Sequence, residues 1–241
     1  MKRLLAVGLT LGTLGALLAG VRAPAADAKD KAEAKEALKA LQEFIGGWKG
    51  SGGPDKPRPS PRDPLWSETL SWGWRFKGDD AALVLEVKNG KHLKGGELRY
   101  LPGKKVYQFT ALTADGKKPV FEGALKNDVL TLERTDPGSR QTQQLKMNTA
   151  AEGVRFIYRA ASKAKGGTVW RKDYLVQATK EGESLGKTEK KNECVVSGGV
   201  GTMAISYKGE TYYVCCSGCA DEFRANPDKY VAEFKAKKAK K

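Results

Sequence analysis

The spacing of apolar residues changes twice along the chain. A first run, from Leu4 to Val21, is almost continuously apolar and rich in Leu, Ala and Gly. From Lys29 to Ile45 the apolar residues recur every three or four positions, which predicts a helix that stops at Gly46-Gly47. A proline-rich loop over residues 51–64 follows. From Leu70 onward apolar and polar residues alternate, as half-buried β-strands require.

The alternating region predicts about nine β-strands joined by tight turns. In chain order they are Leu70–Phe76, Ala82–Lys88, Glu97–Leu101, Val106–Leu112, Val120–Leu125, Val129–Arg134, Gln143–Asn148, Val154–Arg159 and Val169–Ala178. Because no helix separates these strands, sequential neighbours are expected to pair antiparallel. An up-and-down barrel is the economical way to close such a meander and remove its edges. The prediction is therefore a mainly β fold with a short helix before the barrel.

The start of this region resembles a known group of barrels. The stretch from Leu41 to Gly50, with Gly46-Gly47-Trp48 at its centre, resembles the helix and Gly-x-Trp with which lipocalin-like and fatty-acid-binding-like barrels begin. The resemblance implies an up-and-down barrel that holds a small apolar ligand. The alternative is that tryptophan, tyrosine and phenylalanine side chains fill the interior and leave no cavity.

A second, smaller unit is predicted after a polar linker over residues 181–192. Thr202–Tyr207 and Thr211–Val214 have the pattern of two strands that pair across a short turn. Helices are expected over Ala220–Asn226 and from Pro227 onward. A segment of about forty residues buries too little apolar surface to fold alone, so this α+β unit is expected to need a metal ion or disulfides.

All four cysteines of the chain lie in this small unit: Cys194, Cys215, Cys216 and Cys219. Their spacing lets two thiolates at a turn and one from a distant loop converge on a single metal ion. Strand alternation predicts that Cys215 and Cys216 point to opposite faces, so Cys216 is either a fourth ligand or a replaceable neighbour. Thiolates are soft ligands, which favours Cu(I) or Zn(II) over Mg(II) and Ca(II).

Two other roles for the cysteines stay open. Exported proteins with an even number of cysteines usually form disulfides, and Cys194 would then pair with one of the three later cysteines. The segment from Cys216 to Cys219 also has the C-x-x-C spacing of thiol oxidoreductases. A redox role is weakly supported, because no thioredoxin-like βαβ pattern surrounds this segment.

The C-terminal unit resembles the YHS and TRASH family of small metal-binding domains. The resemblance rests on the segments Cys194-Val195-Val196-Ser197-Gly198, Tyr207 to Cys219, Phe223 and Asn226-Pro227-Asp228-Lys229-Tyr230. It implies that Cys194, Cys215 and Cys219 are metal ligands, in a protein of heavy-metal sensing, trafficking or resistance. Three features depart from the family pattern: the Tyr-His-Ser element is absent, Val195 replaces a common proline, and Cys216 replaces a common serine.

The N-terminal apolar run has the features of a cleaved secretory signal. Lys2 and Arg3 precede it, and small residues suited to cleavage after Ala25 or Ala28 follow it. A membrane anchor of similar length is the alternative. We therefore expect an exported protein, periplasmic or extracellular. In that setting the formal net charge of +15 makes an anionic membrane or cell-wall surface a more natural partner than nucleic acid. The alternative, which we favour, is a solvated surface without such a partner.

The sequence thus predicts a signal peptide (1–28), a helix and β-barrel domain (29–180), a linker (181–192), a YHS/TRASH-like domain (193–234) and a lysine-rich tail (235–241). No catalytic motif is found, and the single histidine, His92, is expected at the surface. The favoured function is non-enzymatic binding of Cu(I) or Zn(II), with a metal transporter or chaperone as partner. The alternative is a carrier of a small apolar ligand whose C-terminal cysteines form structural disulfides.

Overall fold

The structure is a computed structural model that describes residues 28–58, 60–182 and 192–239. The predicted signal peptide lies outside these residues except for Ala28, and most of the predicted linker lies outside them as well. None of the described helices is both long and apolar enough to span a membrane.

The first helix is shorter than its apolar pattern indicated. Helix α1 spans Ala28–Lys39, and a separate 3-10 turn over Gln42–Phe44 replaces the helical end predicted up to Ile45. The indole N–H of Trp48 donates to the carbonyl oxygen of Phe44 (2.9 Å), which joins this turn to the first strand. The turn thereby brings the Phe44 side chain into the core, where it is buried.

Ten antiparallel strands close into a barrel. They are β1 Gly46–Gly53, β2 Trp66–Lys77, β3 Asp80–Lys88, β4 Leu93–Leu101, β5 Val106–Thr113, β6 Val120–Lys126, β7 Val129–Thr135, β8 Thr142–Ala150, β9 Arg155–Lys163 and β10 Arg171–Lys180. Each strand pairs with its neighbours in the chain, and β1 pairs with both β2 and β10 to complete the ring. The predicted up-and-down antiparallel barrel is confirmed.

The alternation pattern predicts one strand fewer than the structure contains, because the residues of β1 coincide with the predicted helix stop and the start of the predicted loop. Five of the eight residues of β1 are glycine, which strands disfavour, so no alternation is visible there. The glycines serve packing: a Cβ at Gly52 would overlap the indole ring of Trp66 on β2. The strand forms because its main chain pairs with β2 on one side and with β10 on the other.

Inward-facing side chains fill the middle of the barrel. Alternate residues along the strands are buried, and the largest of the completely buried side chains are Trp48, Trp72, Phe109, Phe156 and Tyr158. Helix α1 covers one end of the barrel, where the hydroxyl of Tyr107 donates to the carbonyl oxygen of Ala37 (2.7 Å). The barrel therefore has a packed apolar core of its own.

The C-terminal unit combines two short sheets and two helices. Its elements are β11 Asn192–Glu193, β12 Val200–Gly201, β13 Met203–Tyr207, β14 Glu210–Val214, α2 Ser217–Ala225 and α3 Pro227–Ala239. Strand β11 pairs with β12, and β13 pairs with β14 as the predicted hairpin requires. The prediction of a small C-terminal α+β unit after a mainly β domain is confirmed.

The C-terminal unit packs against the barrel, with α2 beside β2. The ammonium nitrogen of Lys35 on α1 lies 5.3 Å from the ring centre of Phe76 on β2. The same nitrogen lies 5.1 Å from the ring centre of Tyr230 on α3. Buried side chains of both parts belong to one continuous hydrophobic cluster. The start of α2, which carries cysteines, is thus placed next to the barrel wall.

Candidate metal centre

Main-chain contacts bring the distant Cys194 to the other cysteines. Cys194 follows β11 and forms an isolated parallel bridge with Tyr213 of β14. The amide of Val195 donates to the carbonyl oxygen of Tyr213 (2.9 Å). The loop then closes on itself, since the amide of Gly198 donates to the carbonyl oxygen of Cys194 (2.9 Å). These bonds place Cys194 beside the end of β14, where Cys215 begins the turn into α2.

Three cysteine sulfurs form a compact buried cluster. The Sγ atoms of Cys194, Cys215 and Cys219 all lie within 4.8 Å of one another. The Sγ atoms of Cys215 and Cys219 are 3.5 Å apart. The three residues are 1%, 7% and 0% exposed, respectively, so the cluster is shielded from water. All four cysteines of the chain are free thiols.

Cys216 lies at the edge of this cluster and is only partly buried. Its Sγ is 3.9 Å from that of Cys215 and accepts a hydrogen bond from the main-chain N–H of Trp74 on β2 (3.2 Å). The prediction that Cys215 and Cys216 point to opposite faces is wrong, because β14 ends at Val214 and strand alternation does not continue into the turn. Cys216 is instead the residue that precedes the first turn of α2.

Ser197 is a buried polar residue that contacts two of the three clustered sulfurs. Its amide nitrogen is 3.5 Å from Cys194 Sγ, and its hydroxyl oxygen is 3.4 Å from Cys215 Sγ. Contacts of this kind orient the residues that bind a metal ion. Sequence reasoning missed this role, because a serine in a loop is ordinary and only the fold places it between Cys194 and Cys215.

Hydrogen bonds within the cluster spread the pKa values of the four thiols. Donation from Cys215 and Cys219 lowers the pKa of Cys194 to about 2. The same two thiols, together with the N–H of Trp74, lower the pKa of Cys216 to about 3. The pKa values of Cys215 and Cys219 are raised, because their protons are shared with neighbouring sulfurs and because both residues are buried. The lowered pKa values of Cys194 and Cys216 favour the thiolate form, which is the form that binds a metal ion.

The donor set fits a soft metal ion. Zinc–thiolate bonds of about 2.3 Å place two tetrahedral sulfur ligands roughly 3.8 Å apart. The Sγ separations of 3.5 Å between Cys215 and Cys219 and of 3.9 Å between Cys215 and Cys216 are close to that value. Within the described residues, no carboxylate or imidazole joins the group of three clustered sulfurs. An all-sulfur set of this kind favours a soft metal ion over hard cations.

His92 lies at the barrel end opposite α1, where it lines a half-open cavity of about 380 Å³. Its imidazole stacks on the ring of Tyr174, with 3.9 Å between the ring centres. His92 is thus half-buried rather than fully at the surface, and this burial lowers its pKa. The cavity is confined to the barrel mouth, because aromatic side chains fill the middle of the barrel.

Glu68 is a buried carboxylate inside the barrel, and it is 3% exposed. Its two oxygens accept hydrogen bonds from the indole N–H of Trp66 and from the hydroxyl of Tyr158, both at 2.7 Å. Burial raises the pKa of Glu68, and the two hydrogen bonds oppose that rise. Sequence reasoning missed this residue, although the alternation of Leu70 and Trp72, extended back by one step, would have placed it inside.

Comparison with known proteins also singles out the C-terminal unit. No curated protein is similar enough to the chain to be a significant match. The family model of the YHS domain matches residues 202–233, which include Cys215, Cys216 and Cys219 but not Cys194. The matched region is a small part of the chain and contains none of the barrel strands. The C-terminal unit is therefore similar to YHS domains, and this similarity indicates metal binding.

Proposed function

We propose that the protein binds one soft metal ion, Cu(I) or Zn(II), through the thiolates of Cys194, Cys215 and Cys219. One observation carries the proposal: three buried Sγ atoms from two separate segments converge to within 4.8 Å of one another. Burying several ionisable thiols together is unfavourable unless their charge and hydrogen-bonding capacity are satisfied. A bound cation satisfies both, and the YHS similarity independently supports metal binding.

The residues around the proposed ion have two roles: some bind it, and one orients the residues that do. The three clustered thiolates are its ligands, and Ser197 orients two of them through the contacts at 3.5 Å and 3.4 Å. The bound ion would supply a cross-link between the Cys194 loop and the start of α2. We assign no chemical turnover to this site, and the proposed task is to bind, buffer or deliver metal in trafficking or resistance.

The number of sulfur ligands bears on which metal is bound. Zinc in proteins has four ligands, so Zn(II) would take either Cys216 or a water molecule as the fourth ligand beside the three clustered cysteines. Cu(I) is also selected by soft thiolates, and no oxygen ligand is required. Both ions stay candidates, since Cys216 Sγ lies 3.9 Å from that of Cys215.

The two alternative functions have weaker support. A structural disulfide would join Cys194 to one of the three later cysteines, whereas Cys194 and the other three cysteines are free thiols in the structure. A carrier of apolar ligands requires space inside the barrel, but aromatic side chains occupy the middle and the cavity of about 380 Å³ lies only at the mouth. We therefore favour metal binding over both.

Export forms part of the proposal, because it follows from the predicted signal peptide. In an oxidising compartment unprotected thiols tend to form disulfides. Burial of the three clustered cysteines and occupancy by metal would both oppose oxidation, since only accessible thiolates react readily. The partner we propose is a metal transporter or chaperone that exchanges the ion with the cluster.

Elemental analysis of protein purified anaerobically without chelator tests the proposal. We expect about one copper or zinc ion per chain in the wild type, since a single convergent thiolate set binds a single ion. The variant Cys194→Ser/Cys219→Ser should lose the ion, because it leaves one of the three clustered sulfurs.

Cys216→Ser is the matched control, since it makes the same chemical change outside the group of three sulfurs. It should still bind one ion at saturating metal. The proposal would be contradicted if wild-type protein contained no metal, had few free thiols and bound no metal after reduction. Equal metal content in the double variant and the wild type would contradict the assignment of Cys194 and Cys219 as ligands.

A further inference from the structure

Strand β2 extends beyond the strand that pairs with one of its edges. The pairing with β1 ends where Gly46 is opposite Trp72. The pairing with β3 continues to Lys77. The β1-side edge of β2 beyond Trp72 therefore has main-chain groups that no strand of the barrel satisfies. An uncovered edge of this kind needs another partner.

The first turn of α2 covers this edge. The main-chain N–H of Trp74 donates to Cys216 Sγ at 3.2 Å. The main chain of α2 also approaches β2 closely, since a Cβ at Gly218 would overlap the carbonyl oxygen of Trp74. The N–H and the carbonyl group of one barrel residue thus both face the turn that carries Cys216 and leads to Cys219.

A second contact ties the Cys194 loop to the same place. The indole N–H of Trp74 donates to the side-chain oxygen of Gln42 (3.1 Å). The rest of the Gln42 side chain packs against Gly199, where a Cβ would overlap it. Gly199 accepts from the amide of Cys194 (2.6 Å). Both segments that supply clustered sulfurs are therefore in contact with the barrel through Trp74 and Gln42.

We propose that the barrel is part of the metal site: the main-chain N–H of Trp74 holds the Cys216 sulfur in place as the fourth ligand, beside the three clustered cysteines. This inference rests on the proposed function and extends it. Trp74 is a positioning residue, because it acts on the ion through Cys216. Metal affinity then depends on the docking of α2 on β2. By thermodynamic reciprocity, a bound ion strengthens that docking by the same factor.

The expected size of the effect follows from known metal sites. Residues that hydrogen-bond to a metal ligand typically change metal affinity by about 10- to 100-fold when they are removed. A main-chain N–H cannot be deleted by an ordinary substitution, but the docking that positions it can be blocked. Gly218→Ala does this, because its methyl group has no room beside Trp74 while every thiol is kept.

The test is a competitive titration of Zn(II), and separately of Cu(I), into wild type and Gly218→Ala. Gly218→Ala should bind about 10- to 100-fold more weakly. Alanine is a better helix former than glycine, so loss of helix propensity cannot explain a weaker site. Gly73→Ala is the matched control: its Cβ would lie 3.8 Å from Cys216 Sγ, an ordinary contact. Its affinity should stay within about twofold of the wild type.

The double variant Gly218→Ala/Cys216→Ser tests whether the effect passes through Cys216. If docking acts only through this thiolate, the double variant should bind no more weakly than Cys216→Ser, because both changes remove one interaction. An additive loss would overturn the assigned route. Affinity of Gly218→Ala equal to that of the wild type would overturn the inference but leave the proposed function standing.

Amide hydrogen exchange at Trp74 gives a readout that needs no glycine variant. Metal should slow exchange of this amide in the wild type and leave it unchanged in Cys216→Ser. This measurement tests the role of the Trp74 amide even if Gly218→Ala fails to fold. Metal binding without any change at the Trp74 amide would overturn the inference alone. A wild type that binds neither ion would overturn the proposed function, and this inference with it.

Discussion

The barrel and the C-terminal unit are stabilised by different kinds of interaction. The barrel buries large aromatic and aliphatic side chains inside ten strands that hydrogen-bond in a closed ring. The C-terminal unit, residues 192–239, has a smaller set of buried residues, and three of them are cysteines. Burial of apolar area is the main favourable term in folding, and small units gain least from it. We therefore expect the barrel to be stable without the C-terminal unit, and the C-terminal unit to depend on the barrel and on its thiols.

This difference suggests a division of roles between the two regions. The closed barrel offers a wall for the C-terminal unit, and its β2 edge contacts the turn that carries Cys216 through Trp74. A small unit whose stability comes from a bound ion responds strongly when that ion leaves. Changes in the two regions should therefore have separable effects on stability and on metal binding.

Removal of the metal should have the largest effect, and the effect should be confined to the C-terminal unit. Metal binding contributes about 10–16 kcal/mol to the folding of small structural zinc domains. After chelation, or in Cys194→Ser/Cys219→Ser, we expect α2 and α3 to become sensitive to protease. Limited proteolysis with mass spectrometry should locate the new cuts within residues 192–239.

The near-UV circular dichroism of the barrel tryptophans is the control for this experiment. Trp48 and Trp72 are buried in the barrel core and should keep their signal after chelation. If chelation abolishes both the tryptophan signal and the resistance to protease, the two regions unfold as one. That result would contradict the expectation that the barrel is stable without the C-terminal unit.

The sequence was sufficient to predict the barrel but not all of its strands. Alternation from Leu70 to Phe76 and in the later strands was visible because each buries one face. Strand β1 could not be recognised, since its pairing is made by main-chain groups of a glycine-rich segment. Such pairing depends on β10, which is distant in the chain, and local patterns carry no information about it.

The cysteine spacing indicated which residues belong to the candidate site but not how they are arranged. Cys194, Cys215 and Cys219 do come together. The placement of Cys216 was wrong, because it followed strand alternation into a turn. Its partner, Trp74, is 142 positions away in the chain. Contacts between a barrel edge and a helix turn follow from the packing of two regions, which no periodicity in either region expresses.

A cavity in the barrel core should have the next largest effect. Leu130 is fully buried on β7, which is five strands away from β2 in either direction around the ring. Leu130→Ala is expected to lower the free energy of unfolding of the barrel by about 2–5 kcal/mol. Urea unfolding followed by tryptophan fluorescence measures this change. Metal content should stay equal to that of the wild type, and a parallel loss of metal would indicate tighter coupling between the regions than the structure supports.

The smallest effect is expected from pH, through Glu68. Burial raises the pKa of this carboxyl above its ordinary value of 4.5, so the folded barrel holds a proton that the unfolded chain has released. The stability that this proton provides is present below pH 4.5 and is lost as pH rises through the raised pKa. One group changes the free energy of unfolding by at most about 1.4 kcal/mol per pH unit. Glu68→Gln removes the titration and keeps the size of the side chain.

Urea unfolding of wild type and Glu68→Gln between about pH 4 and pH 8 isolates this contribution. The stability of the wild type relative to Glu68→Gln should fall as pH rises, because only the wild type acquires a buried carboxylate. Metal affinity should change in the opposite sense, since thiolate ligands compete with protons and bind more weakly as pH falls. A pH-independent difference between the two proteins would mean that Trp66 and Tyr158 compensate fully for the burial of the charge. Opposite pH responses of barrel stability and metal affinity would instead separate the two regions within a single molecule.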